Sequence, residues 1–172
     1  QGVFFGQWPI FLNLRIVFVK THVPTHADFG IQTNQAAFIG SQHAVAAVTG
    51  ETGSGALVFT NTGAIGFGSS TGTRTLVLGG TNAQDNTMTP VIGDNSGATA
   101  LTKSGTGKWV LAGNNTYTGV TTISGGVLQV GNGGTSGTLG SGAVTDNGNL
   151  IFNRSDNITV ANAISGSGSV TQ

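Results

Sequence analysis

Four of the six acidic side chains stand in one dipeptide, at Asp85-Asn86, Asp94-Asn95, Asp146-Asn147 and Asp156-Asn157. Calcium takes six to eight oxygens from carboxylates, amides and carbonyls, and turns from neighbouring parts of a fold could pool them. The same dipeptide is also good turn chemistry, because its side chains bond nearby backbone N–H groups. No EF-hand spacing and no Gly-Gly-x-Gly-x-Asp run accompanies it. A second group, His22, His26 and Asp28 in "HVPTHAD" with His43 beyond, offers the imidazole and carboxylate donors that suit zinc. An open position on such an ion would activate water for hydrolysis. Pro24 keeps the two histidines off one helical face, and no metallohydrolase motif is matched in full.

Other catalytic constellations are thinner. Serines are plentiful, but every histidine lies at or before residue 43, and no Gly-x-Ser-x-Gly elbow in a strand-turn-helix context stands out. Glu51 and five aspartates are a small supply for the paired carboxylates of glycoside chemistry. Trp109 and Tyr117 could stack on sugar rings, although packing is the preferred reading of both. Thr-x-Thr pairs at Thr60/Thr62, Thr71/Thr73/Thr75, Thr87/Thr89 and Thr116/Thr118 have the spacing of an ice-binding face, but their irregular placement beside Gly and Asn reads as turns. A small divalent-metal-dependent hydrolase, acting on an ester, lactone or glycan, is therefore the alternative; a non-enzymatic scaffold is preferred.

The elements that must position these groups follow from composition. Among 172 residues there are 30 glycines and 7% charged side chains, against about 7% Gly and about 25% charged in ordinary domains. Gly has no third-residue period and there are only three prolines, so collagen is excluded. Abundant Thr, Val, Gly and Asn favour strands joined by tight turns. Six basic residues balance six acidic ones, which is too few to line a nucleic-acid groove or bind an anionic membrane. Near-zero net charge leaves copies of the chain free to associate. No cysteine is present, so disulfides, thiolate metal sites and a Cys nucleophile are out.

The chain changes texture near residue 43. Residues 1–43 hold the histidines and most of the phenylalanines; "FLNLRIVFVK" alternates like one strand, and Pro24 makes "THVPTHADFG" a loop. Arg15 and Lys20 break this apolar run short of a membrane span, and it lacks the features of a signal peptide. We read residues 1–43 as a flanking or cap segment. From Ala44 to 172 the sequence repeats loosely. Residues 74–92, 108–123 and 149–164 each open on an apolar triplet (Leu76-Val77-Leu78, Trp109-Val110-Leu111, Leu150-Ile151-Phe152), pass a polar turn and end in Ile. Such self-similarity indicates a solenoid. In one, equivalent side chains stack about 4.8 Å apart; stacked charges would repel, inward positions become apolar ladders, and turns become Gly or Asn.

At "LTKSGTGKWVLAGNNTYTGVTTISGGVLQV", residues 101–130, the chain resembles the autotransporter-associated β-strand repeat. The matching positions are Leu101, Thr102, Lys103, Gly105, Gly107, Gly113, Asn115, Tyr117, Gly119, Thr121, Thr122, Ile123, Gly126 and Leu128. The likeness covers roughly residues 50–172. It implies an all-β right-handed parallel β-helix, in the passenger of a large secreted or surface-displayed bacterial protein, acting as a stalk, spacer or adhesive surface. The motif carries no catalytic residues, so it implies no cofactor. The partners it suggests are a polysaccharide or other cell-surface ligand, with self-association through uncovered solenoid ends and no membrane insertion of this segment.

Overall fold

The structure is a computed structural model that describes residues 44–50, 55–66, 72–94 and 96–172, the first of these stretches in backbone only. The expectations for residues 1–43, including the strand, the loop and the histidines, lie outside these residues. The described residues are built of strands with no helix: β1 Ala44–Gly50, β2 Val58–Phe59, β3 Arg74–Gly80, β4 Asn86–Met88, β5 Thr99–Lys103, β6 Lys108–Leu111, β7 Thr121–Ile123, β8 Val127–Val130, β9 Val144–Asp146, β10 Asn149–Phe152, β11 Ile164–Ser165 and β12 Ser169–Thr171. No helix among them is long and apolar enough to cross a membrane, a statement that does not bear on β-barrels.

Odd-numbered strands make one six-stranded sheet in the order β1-β3-β5-β7-β9-β11, and even-numbered strands make a second, β12-β10-β8-β6-β4-β2. Every pairing is parallel. Parallel neighbours need a crossover; here the strand of the opposite sheet, with its two turns, replaces the usual helix. The chain therefore coils as a parallel β-solenoid, as its composition requires. Turns from the first sheet to the second are short, while the return path is longer and irregular. That return path forms a third, looser side, tied by isolated parallel bridges at Ala64–Val91 and Asn114–Thr138.

Alternation sets the interior. In β3 and β5 every second side chain is buried, because successive residues face opposite sides of a sheet. The register stacks Leu76 on Leu101, Leu101 on Thr121 and Thr121 on Val144. Opposite them, Trp109, Leu128 and Leu150 form one ladder, and Met88, Leu111, Val130 and Phe152 another. All of these side chains except Thr121 belong to one hydrophobic core, each fully buried aliphatic contributing about 1.5–3 kcal/mol. The Phe59 and Trp109 rings stack with centroids 6.4 Å apart.

One alignment drawn from the sequence is out of phase. Trp109-Val110-Leu111 and Leu150-Ile151-Phe152 do occupy the same column of the second sheet, two coils apart. Leu76-Val77-Leu78 instead lies in the first sheet, over Leu101-Thr102-Lys103. The second-sheet counterpart of Trp109-Val110-Leu111 is Asn86-Thr87-Met88, which has too little apolar character to be recognised as such.

Close stacking makes some glycines obligatory. A Cβ on Gly119 would sit 2.4 Å from the Thr99 carbonyl oxygen of the coil beneath, whereas one on Gly134 would meet nothing within 4 Å. Gly119→Ala should therefore destabilise the chain by about 1–3 kcal/mol, read as a lower urea midpoint, while Gly134→Ala changes it by no more than about 0.5 kcal/mol. Equal effects of the two substitutions would contradict the stacking distance.

Candidate functional site

The stretch 101–130 folds as strands β5 to β8 with their turns, and several of its characteristic residues lock one coil to another. Lys103 follows Leu101 on the inward face of β5 and is fully buried between Leu78 and Ile123 of the neighbouring coils. Its Nζ donates to the carbonyls of Ser104 (2.8 Å) and Gly105 (3.0 Å) in its own turn and of Gly125 (3.1 Å) in the next coil. A Cβ on Gly126, which has φ of +65°, would be 2.7 Å from that nitrogen, so glycine there makes room for the amine. Trp109 Nε1 donates to the Gly79 carbonyl at 2.9 Å, which explains an indole in a dry core.

The Gly-x-Asn-x-Tyr-x-Gly segment does the same work on the third side. Asn115 Oδ1 accepts from the Ile92 backbone N–H (2.9 Å) and its Nδ2 donates to the Thr138 carbonyl (2.7 Å), spanning three coils. Tyr117 is buried, with its hydroxyl 2.7 Å from Thr121 Oγ1. Gly113 and Gly119 lie where a Cβ would strike the backbone at Thr89 and Thr99. The same device recurs outside the stretch. Asn86 accepts from Leu57 N–H and donates to the Lys108 carbonyl, and Asn162 donates to the carbonyls of Gly140 and Gly142. Buried backbone groups must be paired, and in these turns amide side chains pair them.

The four Asp-Asn carboxylates are not brought together. Asp85 forms an ion pair with Lys108 at 2.6 Å. Asp94 accepts from the Thr118 hydroxyl and from the backbone N–H of Thr99 and Thr118; burial pushes its pKa up, but these bonds and the Arg74 charge hold it below the usual value. Asp146 is buried, with Oδ1 accepting from Gly148 N–H at 2.9 Å. Asp156 makes a two-pronged contact with Arg154, whose guanidinium also donates to the carbonyls of Gly137 and Thr135 and so clamps the loop 131–137. Among the described residues no three His, Cys, Asp or Glu side chains cluster as a metal site would require. His22, His26 and Asp28 are not among them.

A surface the Thr-x-Thr spacing missed runs along the outside of the first sheet. Thr102 stacks on Thr122, Thr122 on Thr145 and Thr145 on Ser165. This column has one hydroxyl per coil, so it runs along the axis of the solenoid rather than along a strand. The legible signal was the residue between two inward ones in "LTK", "TTI", "VTD" and "ISG". By contrast, Thr116 and Thr118 lie in a turn.

The geometry is therefore that of a stacked parallel coil with a built-in locking repeat. Residues 101–130 match the family model described as passenger-associated-transport-repeat. The chain carries an autotransporter-type passenger repeat, folded as a parallel β-solenoid. It is 52% identical over 117 residues to the "Adhesin BmaC autotransporter" of Brucella suis biovar 1 (strain 1330), a match that takes in 67% of this chain and 3% of that protein. The chain thus spans a small part of the length of the relative it matches. No solved structure matches it. Repeat and relative together make it a secreted or cell-surface bacterial module.

Burial without a counter-charge pulls the Lys103 pKa from 10.5 down to about 8. Between those values the unfolded chain binds more protons than the folded one, so stability rises with pH. Tyr117 opposes this from about pH 10 upward: burial pushes its phenol up, with contacts to Thr121 and Gly140 partly offsetting, and the stability held by the neutral phenol is lost as pH climbs. Unfolding free energies from urea titrations should rise from pH 8 by on the order of 1–3 kcal/mol and turn over above pH 10. Lys103→Met should abolish the rise and keep the fall. A rise that survives Lys103→Met would assign it elsewhere.

Proposed function

We propose that this chain is an adhesive module, a stiff length of β-solenoid that carries a ligand-binding surface away from the bacterial cell. The observation that carries the proposal is the 52% identity to an autotransporter adhesin, on a fold whose conspicuous side chains serve the stack. The Thr102, Thr122, Thr145 and Ser165 column supports a mechanism. It offers repeated donors and acceptors with no charge among them, a pattern suited to a polysaccharide or glycosylated cell surface. Each contact is weak, and many in series along a stalk give strength through multivalency.

Adhesion itself is tested with beads coated with the chain, applied to epithelial monolayers and to immobilised neutral and anionic polysaccharides. Thr122→Lys combined with Thr145→Lys should reduce retention about tenfold, equivalent to about 1.4 kcal/mol. Retention by the parent chain should also survive high salt, since no ion pairs are involved. Retention no better than that of uncoated beads would sink the proposal.

A further inference from the structure

The turn between β9 and β10 is only two residues, Asn147 and Gly148, and side-chain and backbone groups of two coils converge on it. Asp146 Oδ1 accepts the Gly148 backbone N–H at 2.9 Å. The other carboxylate oxygen, Oδ2, is buried with no hydrogen-bond donor. From the next coil, the Ser167 backbone N–H and hydroxyl both reach Asn147 Oδ1, at 3.1 and 3.2 Å. A base therefore holds the proton of one nitrogen, while two donors polarise the side-chain carbonyl of the residue before it.

We propose that Asp146, Asn147, Gly148 and Ser167 form a self-modifying site in which Asn147 cyclises onto the Gly148 nitrogen and releases ammonia. Asp146 takes the Gly148 proton on Oδ1, the oxygen that already accepts it, as the nitrogen bonds to Asn147 Cγ. The negative charge that develops on Asn147 Oδ1 is met by the two Ser167 donors. Collapse breaks the Cγ–Nδ2 bond; the proton held by Asp146 returns to the departing nitrogen, which leaves as ammonia. The product is a succinimide ring, which water opens to an aspartate or to a β-linked isoaspartate. Glycine at 148 permits the attack because no side chain hinders its nitrogen. The β-linked product adds a backbone carbon to a turn whose flanking strands are in register with both neighbouring coils, so conversion loosens the stack there.

The chain supplies its own control. Its other Asn-Gly pair is Asn132-Gly133, where Gly133 N–H donates to the Asn153 carbonyl at 2.9 Å, which is no base. The whole chain is incubated at neutral pH, folded and in concentrated urea, and amide-to-acid conversion at each pair is followed by peptide mass spectrometry with isoaspartate detection. In urea the two pairs should convert at similar rates. In the folded chain Asn147 should convert at least about tenfold faster than Asn132. Asp146→Asn should remove that advantage and leave Asn132 unchanged. Ser167→Ala, at an exposed position, should slow Asn147 by a smaller factor; it decides the matter if Asp146→Asn fails to fold. Conversion of folded Asn147 no faster than Asn132, or unaffected by Ser167→Ala, would overturn the proposal.

Discussion

Hydrogen bonding from each coil to the next, at the fixed strand separation of about 4.8 Å, is the constraint from which the rest of this molecule follows. It places every side chain over its counterpart, so the sequence is read in columns. A column of Leu, Val and Ile gains from the arrangement, and a column of like charges cannot exist in it. Where one coil's backbone lies directly on another, even a methyl group is too large, as at Gly113 and Gly119. Low charge and high glycine content are thus one property seen twice.

The exceptions show what the constraint leaves over. Turns must bend sharply while their carbonyls and N–H groups stay paired, and strands cannot do this for them. The chain solves the problem with single polar side chains that reach beyond their own coil: Lys103 on three carbonyls, Asn86 and Asn115 on backbone groups above and below, and Asn162 on two carbonyls of the preceding coil. Lys103 is the costliest of these, an amine withdrawn from water without a carboxylate beside it. The three carbonyls it donates to offset part of that cost, and its column neighbours, Leu78 and Ile123, stack no second cation on it.

Much of this was legible beforehand. The all-β character, the parallel coil and the special status of residues 101–130 came from composition and from one well-spaced motif, because these depend on which residues recur. The phase of the coil was harder to read. Leu76-Val77-Leu78 and Trp109-Val110-Leu111 look alike in sequence yet face each other across the core, since both sheets demand short apolar strands. Thr-x-Thr spacing reports pairs along a strand, whereas the hydroxyl column is assembled across coils, one residue from each. The four Asp-Asn dipeptides are alike in sequence. Their partners differ in every case: Lys108, Thr118, Gly148 and Arg154. The second interaction of a turn residue depends on the neighbouring coil, which local sequence does not display.

The irregular third side has a mechanical meaning. Bonds between coils lie along the long axis, and the return segments that carry Asn115 and the Arg154 clamp are looser than either sheet. Tension applied through the chain therefore detaches one coil before it loads the next. Each released coil of about 20 residues, at roughly 3.3 Å per residue, yields on the order of 60 Å of slack. Extension of such a column is therefore stepwise, one coil at a time.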